Sequence, residues 1–225
     1  VANNHGSNAI SVAEHTILMM LGSARRAPEM HNRVTSGNWA GNDHGMSSHS
    51  LSGKTLGIVG LGKIGNLVAE RAEAFGMTIR FTDPVVTVPP TKHWERRELT
   101  HLAEESDFVS LHVHLNTQTV GLINDQFFAA MKRKPFLINV SRAELVDRRA
   151  LLAAINRGSL SGLAMDAHYE EPTAVDDPLF LTNNSIFSPH VAGSTRDSYE
   201  DTVSACISNI EAALATGSIS GRIDS

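Results

Sequence analysis

The sequence predicts a doubly wound α/β domain, a parallel sheet covered by helices on both faces, with one long helix ahead of it. Two observations lead there. From Lys54 onward, short apolar runs bounded by turns alternate with helical segments of about ten residues, the pattern of βαβ units. The glycine-rich stretch GIVGLGKIGNLVAE, residues 57–70, lies where the first of these runs gives way to a helix. The runs are apolar throughout rather than alternating, as expected of strands buried on both faces.

The first element is a helix over residues 11–34, SVAEHTILMMLGSARRAPEMHNRV. Ser11 with Glu14 three residues on reads as a capping box that starts it. ILMML is apolar almost all round, which places this helix against more than one surface, inside the domain or against a second subunit. Pro28 is expected to kink or restart it. Residues 37–53, rich in Gly, Ser and His, read as a loop with Trp39 anchoring it into the core. Strand and helix then alternate through TLGIVG, NLVAERAEAF, TIRFTD, ELTHLAEES, FVSLHV, DQFFAAMK, FLINVS and RRALLAAINRG. LSGLAMDA and SIFS follow as strands, and a last helix runs over about 195–216. Cys206, within SACISNI, is expected in that helix's core.

Composition narrows the function classes. With 225 residues, 41% of them hydrophobic, the chain can bury a sizeable core. The net charge of -5 and scattered Lys and Arg offer no basic patch for nucleic acid. One cysteine excludes an intramolecular disulfide framework and fits a reducing compartment. No apolar run approaches the roughly 18 residues of a membrane span. The expectation is a soluble cytoplasmic protein, and the Val at position 1 suggests a piece of a longer chain.

The glycines carry the first chemical signal. Gly60, Gly62 and Gly65 have GxGxxG spacing between a strand and a helix. There the first permits a tight turn, the second lets the backbone approach a pyrophosphate and the third lets helix and strand pack closely. The amides near Lys63 and Ile64 would point at the anion. Asp83 ends the next strand, where a carboxylate accepts hydrogen bonds from an adenosine ribose. A 2'-phosphate would meet like charge, and no Arg follows in DPVVTV, so the cofactor read is NAD rather than NADP. The plainer reading is that the glycines serve a turn and Asp83 caps it.

In an open α/β sheet, ligands bind beyond the carboxyl ends of the strands. Those ends carry His112 and His114, Ser141 and Arg142, Asp166, Glu171 and, in FSPHVAGST, His190. An arginine can pair both oxygens of a carboxylate, and a histidine can carry a proton near neutral pH. Each has a bland alternative: a surface salt bridge for Arg142, a solvated loop carboxylate for Glu171, a satisfied core histidine for His190. His112 and His114, spaced i, i+2 on one strand face, could seed a metal site, but no third ligand is apparent; His44 and His49 are read the same way, and no metal is assigned.

SVAEH at 11–15, GLGKIG at 60–65, INVSRAELVD at 138–147, MDAHYEEP at 165–172 and SPHVAGST at 188–195 together resemble the D-isomer-specific 2-hydroxyacid dehydrogenase family over nearly the whole chain. The resemblance implies a Rossmann domain binding NAD, a D-2-hydroxy acid or 2-oxo acid substrate and a homodimer built on the first helix. It implies that Arg142 anchors the substrate, that Glu171 holds His190 and that His190 is the acid/base. It also implies that Asp166 and the carbonyl near Val140 hold the nicotinamide carboxamide, and that Asn8 faces the substrate, as in the formate dehydrogenase branch. That branch carries glutamine at the position of Glu171, which argues against formate. By the same comparison residues 1–10 are the remnant of a hinge and substrate lobe, 11–195 the NAD-binding domain with its interdomain helix, and 196–225 a helix and tail returning to that lobe. Roughly a hundred residues of the lobe would then be missing. Three positions depart from the family: Ala143 for glycine, which would be strained if the turn needs positive φ; His114 for proline; and His168 for an aromatic residue. A second reading is a binding module of the corepressor type, or an NAD-binding fragment without turnover.

Overall fold

The computed structural model describes residues 6–39, 42–216 and 221, with backbone alone at 42–44. In chain order the elements are α1 (Ala9–Arg25), α2 (Ala27–Thr35), a 3-10 turn (Asn42–Ser47), β1 (Thr55–Val59), α3 (Lys63–Ala74), β2 (Thr78–Thr82), β3 (Glu95–Arg96) and α4 (Leu99–Glu105). There follow β4 (Phe108–Leu111), α5 (Asp125–Ala130), β5 (Phe136–Asn139), α6 (Arg148–Asn156), β6 (Gly162–Met165), β7 (Ser185–Phe187) and α7 (Arg196–Thr216). The strands form one parallel sheet in the order β3-β2-β1-β4-β5-β6-β7, so the chain winds outward in both directions from β1 and β4. β3, two residues long, is an edge strand that the sequence pattern did not reveal.

The apolar strands divide their side chains between two cores. On one face Ile58, Phe108, Ile138 and Ala164 meet α1 and α3; on the other Val109, Leu137, Leu163 and Met165 meet α4, α5 and α6. This period-two division is what makes the strand sequences read as continuous apolar runs. α1 covers the half of its face over β5, β6 and β7 that α3 leaves open, and Met19 and Met20 are buried there. An added Cβ at Gly22 would come within 2.5 Å of Ile186, so α1 lies close on β7. The remaining side of α1 is open, with Ile10 and Leu18 exposed.

Several expectations are corrected. α1 begins at Ala9 with Asn8 at its N-cap, so Ser11 and Glu14 form no capping box. Ser11 Oγ instead bonds Thr195 Oγ1 at 2.7 Å, and Glu14 pairs with Arg71. The helix breaks at Arg26, whose left-handed φ of 54° turns the chain; Pro28 then sits in the first turn of α2, where its missing N–H leaves no bond unmade. Trp39 is 85% exposed and follows α2, which buries none of its own residues; Leu51 enters the core instead. Cys206 is exposed, because among the described residues of α7 only Ser198 is buried. No helix among the described residues is long and apolar enough to cross a membrane.

Candidate active site

The glycine loop follows β1 directly. Gly60 has φ +96°, and a Cβ there would stand 2.7 Å from the carbonyl oxygen of His112; at Gly65 it would stand 2.1 Å from that of Gly60. Neither position admits a side chain. Gly62 faces open space and is the N-cap of α3, with no side chain capping the first turn, so the helix N-terminus at Lys63 and Ile64 is the end that would meet an anion. Asn66, which the sequence pattern did not single out, holds the loop by donating to the carbonyls of Leu61 and Gly62.

Asp83 lies at the end of β2 as expected. Its carboxylate accepts from the amides of Leu61 at 2.7 Å, Val85 at 2.8 Å and Val86 at 2.9 Å, so the cap reading of this residue holds whatever else it binds. Burial works against its charge, but the amides of Val86, Val85 and Leu61 prevail and hold its carboxyl below the usual range. A carboxylate has roughly four acceptor sites, which leaves one for a ribose hydroxyl. Arg96, on the unforeseen β3, donates to the Asp83 carbonyl at 3.2 Å. A cation therefore does stand beside Asp83, although none occurs in the DPVVTV stretch that begins with it. The glycine cradle, the helix N-terminus and the carboxylate together fit a dinucleotide.

The other end of the rim is built from the ends of β5, β6 and β7. Asn139 is fully buried and shapes the turn after β5: its Nδ2 donates to the Arg142 carbonyl and its Oδ1 accepts from the Ser141 amide. Arg142 Nη1 is thereby placed 3.5 Å from His190 Nε2. The opposite ring nitrogen, Nδ1, is 2.9 Å from both oxygens of Glu171. The carboxyl of Glu171 is held below its usual range, first by the backbone N–H of His168 and then by His190. Asp166 lies fully buried at the end of β6 and accepts from Ser188 Oγ at 2.5 Å and from the amides of Val191 and Ala192. A cavity of about 790 Å³ opens here, lined by Asn8, Val140, Arg142, Asp166 and His190. Ala143 is buried without positive φ, so the departure from glycine adds no strain to the Arg142 turn.

The remaining histidines take other roles. β4 ends at Leu111, so His112 and His114 lie past the strand and share no strand face. The ring of His112 turns inward to Ser110 Oγ at 2.8 Å, leaving Nδ1 buried without a partner, and burial pushes its pKa down to about 3. His49 packs edge-on against Phe136, and the side chain of His44 lies outside the described residues. Among the described residues no group of three His, Cys, Asp or Glu converges as a metal site would need.

Residues 17–192 match the family model described as "D-isomer specific 2-hydroxyacid dehydrogenase, NAD binding domain". The chain is 37% identical over 201 residues to a glyoxylate reductase of Korarchaeum cryptofilum, an alignment covering 88% of this chain and 60% of that protein. Among solved structures it is similar to the TT0316 protein from Thermus thermophilus, with TM-score 0.87 and 34% identity over 95% of this chain and 68% of the other. It is also similar to a D-lactate dehydrogenase from Aquifex aeolicus complexed with NAD and lactic acid, with TM-score 0.85 and 30% identity over 97% and 72%.

Proposed function

The chain belongs to the D-isomer specific 2-hydroxyacid dehydrogenase family, as its NAD-binding domain, and from that premise we propose that the protein transfers a hydride between NAD(H) and a D-2-hydroxy acid/2-oxo acid pair. It spans 60% of the length of the glyoxylate reductase it matches, so this activity is proposed for the whole protein. One observation carries the reading: one nitrogen of His190 is held by Glu171 while the other faces Arg142 and the cavity.

Each side chain then has a task. Bound NADH supplies the hydride for the carbonyl carbon of a 2-oxo acid. Arg142 pairs with the substrate carboxylate, which a planar guanidinium can grip through two oxygens. His190 delivers a proton from Nε2 to the growing alkoxide, and Glu171 stabilises the charged ring and fixes which nitrogen faces the substrate. Gly60, Gly62, Gly65 and the amides of Lys63 and Ile64 receive the pyrophosphate, Asp83 a ribose hydroxyl, and the Val140 carbonyl with Asp166 the carboxamide. Asn8 lines the substrate side of the cavity.

The exposed Ile10 and Leu18 of α1 support a homodimer through that helix. The apolar stripe of Tyr199, Val203, Ile207 and Ile210 on α7 supports the reading of residues 196–225 as a segment facing a second lobe, with 1–10 the edge of its hinge and 11–195 the cofactor domain. The single thiol supports a cytoplasmic setting. The deciding test is NADH oxidation by the full-length protein with a panel of 2-oxo acids. Turnover that disappears in His190→Ala and Arg142→Ala is expected; turnover retained in His190→Ala would overturn the assignment.

A further inference from the structure

Ser188 stands two residues before His190, at the end of β7, and its polar atoms are taken from two directions. Its hydroxyl donates to Asp166 Oδ1 at 2.5 Å, and His15 Nε2 lies 2.9 Å from the same hydroxyl. A serine has one proton to give, and here its hydroxyl is the donor to the Asp166 carboxyl oxygen. The Ser188 proton is therefore spent on Asp166, and His15 must donate, carrying its hydrogen on Nε2. On the other side, His168 Nε2 lies 2.9 Å from the Ser188 carbonyl, an acceptor, so this ring donates as well.

The turn just beyond Ser188 needs holding. His190 has φ +55°, a left-handed conformation that a non-glycine residue keeps only where its surroundings over-determine it. Its amide donates to the carbonyls of Asp166 and Ser188, while the next two amides, of Val191 and Ala192, end on the Asp166 carboxylate. The backbone N–H of His168 also binds Glu171 Oε1 at 3.0 Å, so one residue touches both the strand end before His190 and the carboxylate that holds its ring. The His168 ring packs against Phe187 and Phe180, a contact any aromatic side chain could keep; its hydrogen-bonding nitrogen is what a phenyl ring would lack.

The geometry points to His15 and His168 as positioning residues that clamp Ser188, one at its hydroxyl and one at its carbonyl, and so fix the turn presenting His190 to Glu171 and Arg142. The proposal rests on the dehydrogenase reading for its catalytic consequence. The clamp itself is a property of the fold, and can be measured without turnover. Four variants test it in the full-length protein: His15→Ala and His168→Phe, which remove a donor, and His15→Gln and His168→Gln, whose amide can replace it. Amide hydrogen exchange at Val191 and Ala192 should quicken about tenfold in the first two, the effect of losing one buried hydrogen bond, and return toward the wild-type rate in the glutamine variants. In parallel, kcat should fall about tenfold while the Kd for NADH stays within about twofold. Unchanged exchange in both donor-less variants, or a loss that glutamine does not restore, would overturn the clamp. Absence of turnover in the wild type would remove the dehydrogenase reading, while the exchange rates would still decide whether the clamp exists.

Discussion

Acidification from pH 7.5 to 5.0 should destabilise this fold by about 2 kcal/mol through His112 alone. The ring is held neutral by burial, which pushes its pKa down to about 3, whereas in the unfolded chain it titrates near the ordinary 6.5. Below pH 6.5 the unfolded chain binds a proton that the folded protein refuses. Stability is therefore fully present above that pH and is lost progressively as pH falls toward 3. At pH 5.0 the penalty is 2.303RT times about 1.5, or about 2 kcal/mol. This figure is set by the unfolded pKa and hardly changes if the folded value lies a unit higher. Urea unfolding at both pH values, for the wild type and His112→Gln, isolates the contribution. Glutamine cannot titrate, and its amide can keep a bond to Ser110, whose hydroxyl pairs with the imidazole. The variant should lose about 2 kcal/mol less than the wild type between the two pH values. Equal losses would refute the neutral, buried ring.

Three further outcomes are expected. Gly65→Ala places a methyl 2.1 Å from the Gly60 carbonyl oxygen, which only a backbone shift can relieve, and should weaken NADH binding more than about tenfold in a fluorescence titration. Asp83→Ala removes the acceptor of three amides as well as the proposed ribose contact; NADH affinity should fall by about tenfold or more, and an unchanged Kd would reject Asp83 as a cofactor residue. Trp39→Ala should shift unfolding stability by no more than about 0.5 kcal/mol, since the ring is 85% exposed; a larger loss in a denaturant melt would restore it as an anchor.

The strands, most of the helices and the glycine loop were legible because their signals are local. A strand buried on both faces is apolar along its whole length, and a glycine needed for close approach has no substitute in the sequence. What misled was also local. Ser11 and Glu14 have capping-box spacing, yet the helix starts two residues earlier and both side chains find partners far along the chain. Trp39 and Cys206 belong to types that are usually buried, but each stands at a position of its segment that no packing surface covers among the described residues.

By itself the sequence determined the sheet, the winding and which residue types crowd its carboxyl rim, since each follows from periodicity and from where strands end. Only the tertiary structure decided how those residues are held. Arg96 reaches Asp83 from a two-residue strand too short to carry a pattern. His15, 173 residues from Ser188, shares a hydrogen bond with it because α1 lies across β7. Hydrogen bonds depend on distances of a few tenths of an ångström between segments remote in sequence, and no spacing along the chain encodes them.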